Sequence, residues 1–357
     1  MPLEVITTLE AFAGLRDTWN AVLRESGSYT PQMSYEWLAA YWKHFAADAQ
    51  VEILVHRDKG GGIVGFSPFM TRRRRDGLST VTELTFLADD LSDYLDFVSI
   101  EKCRGEVLVN QVIPFLAERM KQVDRVFLRR IRFSSPNWKF LKRQWSDAFL
   151  PTGENPIAVL GTSADEFFGS LGRNIRRELQ KRQSRVEESG LHLSFEAVSG
   201  YDSELLSEFA EMDRIRAAET GHHSALSRKR VAEFFRDAAQ PLAARGEICG
   251  WVLRLEGELA SYRLGFVVAD QFLDWQTSYN GKFNEFDVGK ILLAKAIEDC
   301  ISKKYEQFNF LAGCEGYKLS WSNKIDFFYA YTWERRNVSM RLMDTIRSVK
   351  RLVDMKQ

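Results

Sequence analysis

The sequence predicts an α/β protein (α+β, mixed sheet) built as a tandem duplication, and three observations predict it. At 357 residues the chain exceeds what one ordinary core organises, so two domains are expected. Strand-like alternation and helix-like periodicity succeed each other along its whole length. The order also repeats: in residues 61–131 and again in 256–311, a glycine-containing hairpin leads to long strands, one helix and a further strand. The helix at 104–122 takes the place of the helix at 288–304. The expected organisation is a mainly structural unit over 1–160, a site-bearing unit over 161–337 and a terminal helix over 338–357.

In the first unit, Val5-Ile6 is a short strand. Leu9, Phe12, Leu15, Trp19, Val22 and Leu23 recur at helical spacing over 9–25. Ser34 is a suitable N-cap for an aromatic helix ending at Phe45. Strands at 51–56 and 62–70 meet across Asp58-Lys59-Gly60-Gly61, a hairpin signal. Arg72, Arg73, Arg74 and Arg75 follow, and a solvated strand end is the commoner fate of such a run than a phosphate grip. Strands at 80–87 and 95–100 flank an acidic loop, Asp89 to Tyr94, whose spacing matches no metal-ligand set and suits a turn. A helix at 104–122, a strand at 125–132, a helix at 135–145 and a crossing segment at 149–160 complete the unit.

The second unit opens with a capped helix at 164–171 and a basic one from Arg173 to Glu188, stopped by Gly190. A strand at 192–198 precedes helices at 202–220 and 228–244. Three strands follow, at 248–255, 259–269 and 272–279. Asp287-Val288-Gly289-Lys290 then marks the change from strand to helix. Asp287 reads as an N-cap, and Gly289 is costly in a first turn, by up to about 1 kcal/mol relative to alanine. Two readings stand: a capped helix that tolerates a glycine, or a helix start whose bare amides receive an anion. A strand at 307–311, the stretch from Cys314 to Trp321, a strand at 327–334 and an amphipathic basic helix at 338–353 end the chain.

Composition excludes several classes. Hydrophobic residues make up 45% and aromatic residues 13%, enough for folded cores. Lys+Arg and Asp+Glu balance at 49 each, so no general attraction to nucleic acid is expected. The four cysteines form no C-x-x-C pair, which fits a reducing compartment better than a disulfide framework or a zinc site, and no metal is expected. Met1-Pro2-Leu3-Glu4 has no charged region followed by an apolar core, and no apolar run nears the roughly 18 residues of a membrane helix. A cytoplasmic protein is the expectation.

Asn174-Ile175-Arg176-Arg177, Leu264-Gly265-Phe266, Gln276-Thr277-Ser278-Tyr279-Asn280, Val288-Gly289-Lys290-Ile291-Leu292-Leu293 and Phe308-Asn309-Phe310-Leu311-Ala312-Gly313 running into Tyr317-Lys318-Leu319-Ser320-Trp321 stand in one order. Together they resemble the GNAT acyltransferase superfamily, and within it the CelD-type (cellulose-biosynthesis) branch, related to the FemAB peptidyltransferases. The resemblance covers most of the chain and is strongest over 173–333. It implies tandem GNAT-like domains and an acyl-CoA donor, acetyl-CoA or longer. The pyrophosphate would sit on the amides of Val288, Gly289 and Lys290, with the pantetheine arm along 275–279, Gln276, Thr277 and Ser278 included. This sequence departs from the family's phosphate signature. Phe286 stands where Arg or Gln is usual and Ile291 where Gly or Ala is, which leaves an aminoacyl-tRNA donor as the alternative.

Acyl transfer to an amine needs a base, donors for the developing oxyanion and an acid for the leaving thiolate. Lys318 suits charge stabilisation or acceptor binding, Tyr317 the acid, and Glu315 the base, although Glu315 can equally begin the next helix. The resemblance puts Asp213, with Glu211 and Arg216, on a helix bordering the acceptor cleft. His222-His223, Tyr262 and Arg263 are further candidates, each with an ordinary structural alternative. No cysteine or serine stands in a nucleophile setting, so direct attack is expected. The acceptor implied is an amine on an amino sugar or other envelope or exopolysaccharide precursor. A non-catalytic scaffold recruited through the terminal helix is the remaining alternative.

Overall fold

The computed structural model describes residues 3–77, 79–145, 148–221 and 224–335. His222-His223 and the expected helix at 338–353 lie outside the described residues. The chain runs β1 (Glu4–Ile6), α1 (Leu9–Ala13), α2 (Arg16–Glu25), α3 (Tyr35–Phe45), β2 (Gln50–Arg57), β3 (Ile63–Asp76) and β4 (Ser79–Phe86). It continues with β5 (Val98–Ser99), α4 (Arg104–Val107), α5 (Ile113–Arg119), β6 (Arg125–Arg132), α6 (Trp138–Trp145), β7 (Phe149–Val159), α7 (Ala164–Ser170) and α8 (Arg173–Ser189). Then come β8 (Leu193–Ser199), α9 (Ser203–Thr220), α10 (Lys229–Ala244), β9 (Ile248–Leu255), β10 (Glu258–Val268) and β11 (Gln271–Tyr279). The last elements are α11 (Val288–Ser302), β12 (Gln307–Asn309), α12 (Gly316–Ser320) and β13 (Lys324–Glu334).

Two compact units emerge. One comprises Met1–Ser28, Phe45–Thr152 and the chain from Tyr329; the other comprises Tyr29–His44 and Gly153–Phe328. Helix α3 therefore counts with the second unit and the end of β13 with the first, whereas a division near 160 would assign both the other way.

The strand order repeats. The first unit has β1-β2-β3-β4 antiparallel and then β6 parallel to β4 through Glu83↔Arg125 and Leu84↔Val126. The second has β8-β9-β10-β11 antiparallel and then β12 parallel to β11. In both, a helix-bearing crossover joins the parallel pair, as parallel strands require.

Local chemistry redraws three expected elements. The helix expected at 9–25 is broken at Gly14, the C-cap of α1. The helix at 104–122 is interrupted by a π-turn over Leu108–Val112, just before Pro114 in the first turn of α5. Proline lacks the N–H and crowds the preceding turn, and a widened turn absorbs both. The crossing segment at 149–160 is a strand, β7.

Within the first unit, Arg72 pairs with the buried Asp89 at 2.9 Å and Arg74 with the buried Glu83 at 3.6 Å. The arginine run is thus only partly a solvated strand end. Asp89 also holds Arg129 at 2.9 Å, so the acidic loop is an ion-pair anchor. Among the described residues no group of three or more His, Cys, Asp or Glu could hold a metal, and no helix is long and apolar enough to cross a membrane.

His56 is fully buried, with Nδ1 3.0 Å from Gln111 Oε1 and Nε2 2.8 Å from Ser67 Oγ. Burial pushes its pKa down to about 4, with Gln111 opposing only in part. The folded state refuses a proton that the unfolded chain accepts below about 6.5, so stability falls as pH drops from about 6.5 towards 4. The loss approaches ~3 kcal/mol at the acid end. Urea midpoints at pH 7 and pH 5 should separate further for the wild type than for His56→Gln. Equal separations would contradict this account.

In the second unit α11 lies on one face of the sheet. Ile291, Leu292, Leu293 and Ile297 join Trp251, Leu253, Phe272, Phe308 and Phe310 in one buried cluster. Each such side chain contributes about 1.5–3 kcal/mol on burial. On the other face, Phe209 of α9 stacks on Tyr262 at 4.0 Å. There Trp37 of α3 also stands edge-on to Phe234 of α10 at 4.8 Å and to Phe266 and Trp275 at 5.6 Å each.

Candidate active site

The site begins where β11 and β12 part. They pair over Gln271–Leu273 and Gln307–Asn309 only. Beyond Asn309 the chain is drawn away: Phe310 N donates to Pro156 O at 3.0 Å and Gly313 N to Glu154 O at 3.2 Å. Strand β11 runs on to Tyr279 beside β10, and its other edge opens from Asp274 onward.

A bulge re-aims the side chains along this edge. Leu264 pairs with Gln276 and Gly265 with Asp274, so Trp275 is the extra residue. Gly265 is required here, because a Cβ would collide with the Leu273 carbonyl and the Phe272 ring. Phe272 and Tyr279, an odd number of positions apart, consequently both meet the α11 cluster. Ser278 turns to the opposite face.

The loop 311–316 and α12 bring three expected residues together. Lys318, 8% exposed, donates to Ala312 O at 2.9 Å and lies 3.1 Å from Glu315 Oε2. Gly313 has φ 131, and a Cβ there would run into the Glu315 carboxylate and come within 2.9 Å of Lys318 Nζ. Only glycine lets the loop fold this closely over the lysine. Beneath lies an ion pair between Arg263 (3% exposed) and Asp274 (6% exposed). Burial raises the Asp274 carboxyl above the usual range, and the charges of Arg263 and Lys318 pull it back. Burial also pushes the Tyr317 hydroxyl up to about 12, with the neighbouring Arg263 guanidinium opposing.

At the start of α11, Asp287 adopts the left-handed conformation (φ 56, ψ 41) and its side chain caps nothing. Its carboxylate instead accepts from Arg182 Nε at 2.6 Å and Lys290 Nζ at 3.1 Å. Burial raises this carboxyl, but the two cations outweigh it and hold it below the usual range. The expected carboxylate cap is therefore absent. The Lys290 amide is engaged, donating to Asp287 O at 2.9 Å, while among the described residues the amides of Val288 and Gly289 have no partner. The Val288 side chain is buried and anchors the turn. A Cβ at Gly289 would meet the Tyr279 ring at 3.4 Å and Ser261 Oγ at 4.0 Å, ordinary contacts.

Asp213, on α9, is 1% exposed. It accepts from the Ser224 hydroxyl and lies beside those of Tyr262 and Ser278, and burial raises its carboxyl while these hydroxyls oppose. Glu211 is exposed and pairs with Arg214 at 2.5 Å. Gln276 Nε2 donates to Trp275 O at 2.9 Å and Thr277 Oγ1 to Tyr262 O at 3.0 Å, so these side chains serve the sheet. The structure thus gathers Glu315, Tyr317 and Lys318 on Arg263 and Asp274, and places Asp213 with Ser278 in a separate buried cluster with the Ser224 and Tyr262 hydroxyls. Asp274 escaped sequence reasoning. Its signal was an acid amid Phe272-Leu273-Asp274-Trp275, a poor strand residue in a buried run.

Residues 173–319, from the start of α8 into α12, match the family model described as Acetyltransferase (GNAT) domain. The chain thus carries a GNAT acetyltransferase domain and is a transferase of that type. Its fold is that of tandem GNAT proteins. It is similar to FemX (TM-score 0.61, 11% identity, covering 92% of this chain and 97% of that one). It is similar also to L-PGS from Bacillus licheniformis (0.54, 15%, 95% and 96%) and to a tandem GNAT protein from the clavulanic acid biosynthesis pathway (0.52, 13%, 93% and 98%). No curated protein matches the sequence.

Proposed function

We propose that this protein is an acyl-CoA-dependent N-acyltransferase whose donor enters the gap between β11 and β12. The observation that carries this reading is the coincidence of an open β11 edge with a helix start whose first two amides are unpartnered. The pyrophosphate would lie on the amides of Val288 and Gly289, where the helix dipole favours an anion. The pantetheine arm would add along the edge 275–279 by backbone hydrogen bonds, which suits an edge whose Gln276 and Thr277 side chains are already used. The thioester would then reach Asp274 and α12.

An acceptor amine attacks the thioester carbon directly. Lys318 faces the developing oxyanion, and Tyr317 offers a proton to the departing sulfur. With a pKa of about 12, Tyr317 is a weak donor to a thiolate whose thiol titrates near ~8.5, unless its own anion is stabilised. Glu315, exposed beside Lys318, is the candidate base, and Asp213 with Ser278 lies toward the acceptor side. An amino sugar or other envelope or exopolysaccharide precursor, as in the CelD-type branch, is the acceptor class we infer. The first unit's role is structural: there Asp89 is clamped between Arg72 and Arg129 just past β4.

A second reading has its own observation. Arg176, Arg177 and Lys181 are on α8, whose Arg182 and Arg185 touch Asp287 and the Glu285 carbonyl at the same helix start. Together with Phe286 and Ile291 in place of the usual phosphate signature, this basic helix suits an aminoacyl-tRNA donor. Thermal unfolding with CoA, acetyl-CoA and long-chain acyl-CoA separates the two. Saturable binding at 100 times Kd should stabilise by about 2.7 kcal/mol. No shift with any CoA species, and salt-sensitive tRNA binding instead, would select the second.

A further inference from the structure

Asp274 occupies the first position beyond the β11–β12 ladder, and its partner Arg263 sits on the neighbouring strand β10. Stability does not account for this pair. Buried ion pairs can often be replaced by apolar residues at no loss, and acids are disfavoured inside strands. This pair is also incompletely satisfied: Arg263 Nε and Asp274 Oδ1 are buried without a hydrogen-bond partner. Both lie under α12, where Lys318, 8% exposed, and Tyr317 are found.

We propose that the Arg263–Asp274 pair is the positioning device of the transfer site, Asp274 orienting the Lys318 ammonium and Arg263 the Tyr317 hydroxyl. This rests on the acyltransferase reading above. As the amine nitrogen bonds to the thioester carbon, the C–S bond breaks with its electron pair on sulfur. Sulfur takes the Tyr317 proton, and the Tyr317 oxygen carries the negative charge beside the Arg263 guanidinium. Glu315 takes the proton lost by the amine nitrogen, and Tyr317 regains its own through solvent. Without Arg263 that phenolate would form in a buried, uncompensated setting.

The test compares the wild type, Asp274→Asn and the double variant Arg263→Met/Asp274→Leu. It follows CoA-thiol release from acetyl-CoA with glucosamine as the probe amine, together with Tm and CoA binding by calorimetry. Asp274→Asn leaves a buried cation unpaired and can lose stability for that reason alone, so the double variant decides. It should keep a near-wild-type Tm and a CoA Kd and acetyl-CoA KM within about threefold, while kcat falls by about 100-fold. A kcat within about threefold of wild type would overturn the proposal. So would a collapse of Tm in the double variant, which would make the pair a fold element. Asp274→Asn, which keeps Arg263 beside Tyr317, should also lower kcat but by less than the double variant, and full activity in it would likewise count against the proposal. If the wild type binds no CoA, the acyltransferase reading fails instead.

Discussion

Replacing Lys318 by methionine should lower kcat by about 10²–10³-fold and leave donor affinity nearly unchanged. Methionine keeps most of the aliphatic stem that fills the space under α12, so packing is preserved while the ammonium is lost. What goes is a buried positive charge that donates to Ala312 O and faces Glu315 and Asp274. In a water-poor gap, a preorganised charge aimed at a developing oxyanion gains far more than it would in solvent. Its effect should fall on turnover, because the ground-state thioester carries little charge to bind. Steady-state kinetics with calorimetry of CoA gives the split. A large rise in the CoA Kd with unchanged kcat would move Lys318 from the reacting centre to donor binding.

Gly289→Asp should abolish measurable CoA binding without unfolding the protein. The space exists, since a Cβ there makes only ordinary contacts with Tyr279 and Ser261. The local energetics favour the folded variant. Replacing glycine by aspartate in a helix gains only about a few tenths of a kcal/mol, and an acid in the first turn adds a few tenths more with the dipole. The same carboxylate would stand within about 5 Å of a pyrophosphate on the Val288 and Gly289 amides. At an effective dielectric near 20 that repulsion approaches ~3 kcal/mol per charge pair, or about 100-fold in affinity. An equal or higher Tm combined with lost binding is therefore the expected signature. Unchanged CoA affinity would remove the helix start from the donor site. Gly289→Ala, which adds bulk without charge, should bind nearly as well as the wild type.

What the sequence made legible was local. Hairpins, the long strands of both units and α11 with its glycine follow from periodicity and turn chemistry confined to short windows, whereas the Tyr317-Lys318 stretch stood out through the family resemblance. What it hid depends on partners far away along the chain. Asp287 reads as a cap until Arg182, 105 residues earlier, claims its carboxylate. The bulge at Trp275 is set by the β10 register and by the lack of room at Gly265, and a regular two-residue period gives no notice of it. Arg263 looked like a paired sheet residue, and it is one, yet its head group reaches a carboxylate on the next strand. Asp274 was readable as an anomaly only to an eye asking why an acid should sit in a buried run.

The placement of α3 has a practical corollary for anyone dissecting this chain. Trp37 closes an aromatic nest formed by Phe234, Phe235, Phe266 and Trp275, and Glu36 holds Arg245 at 2.9 Å. A fragment starting near residue 161 would carry every residue of the proposed transfer site yet leave that nest open to water, with Arg245 short of one of its acids. The second unit is thus written in two separate passages of the polypeptide, and a fragment meant to keep it whole must begin no later than Tyr29.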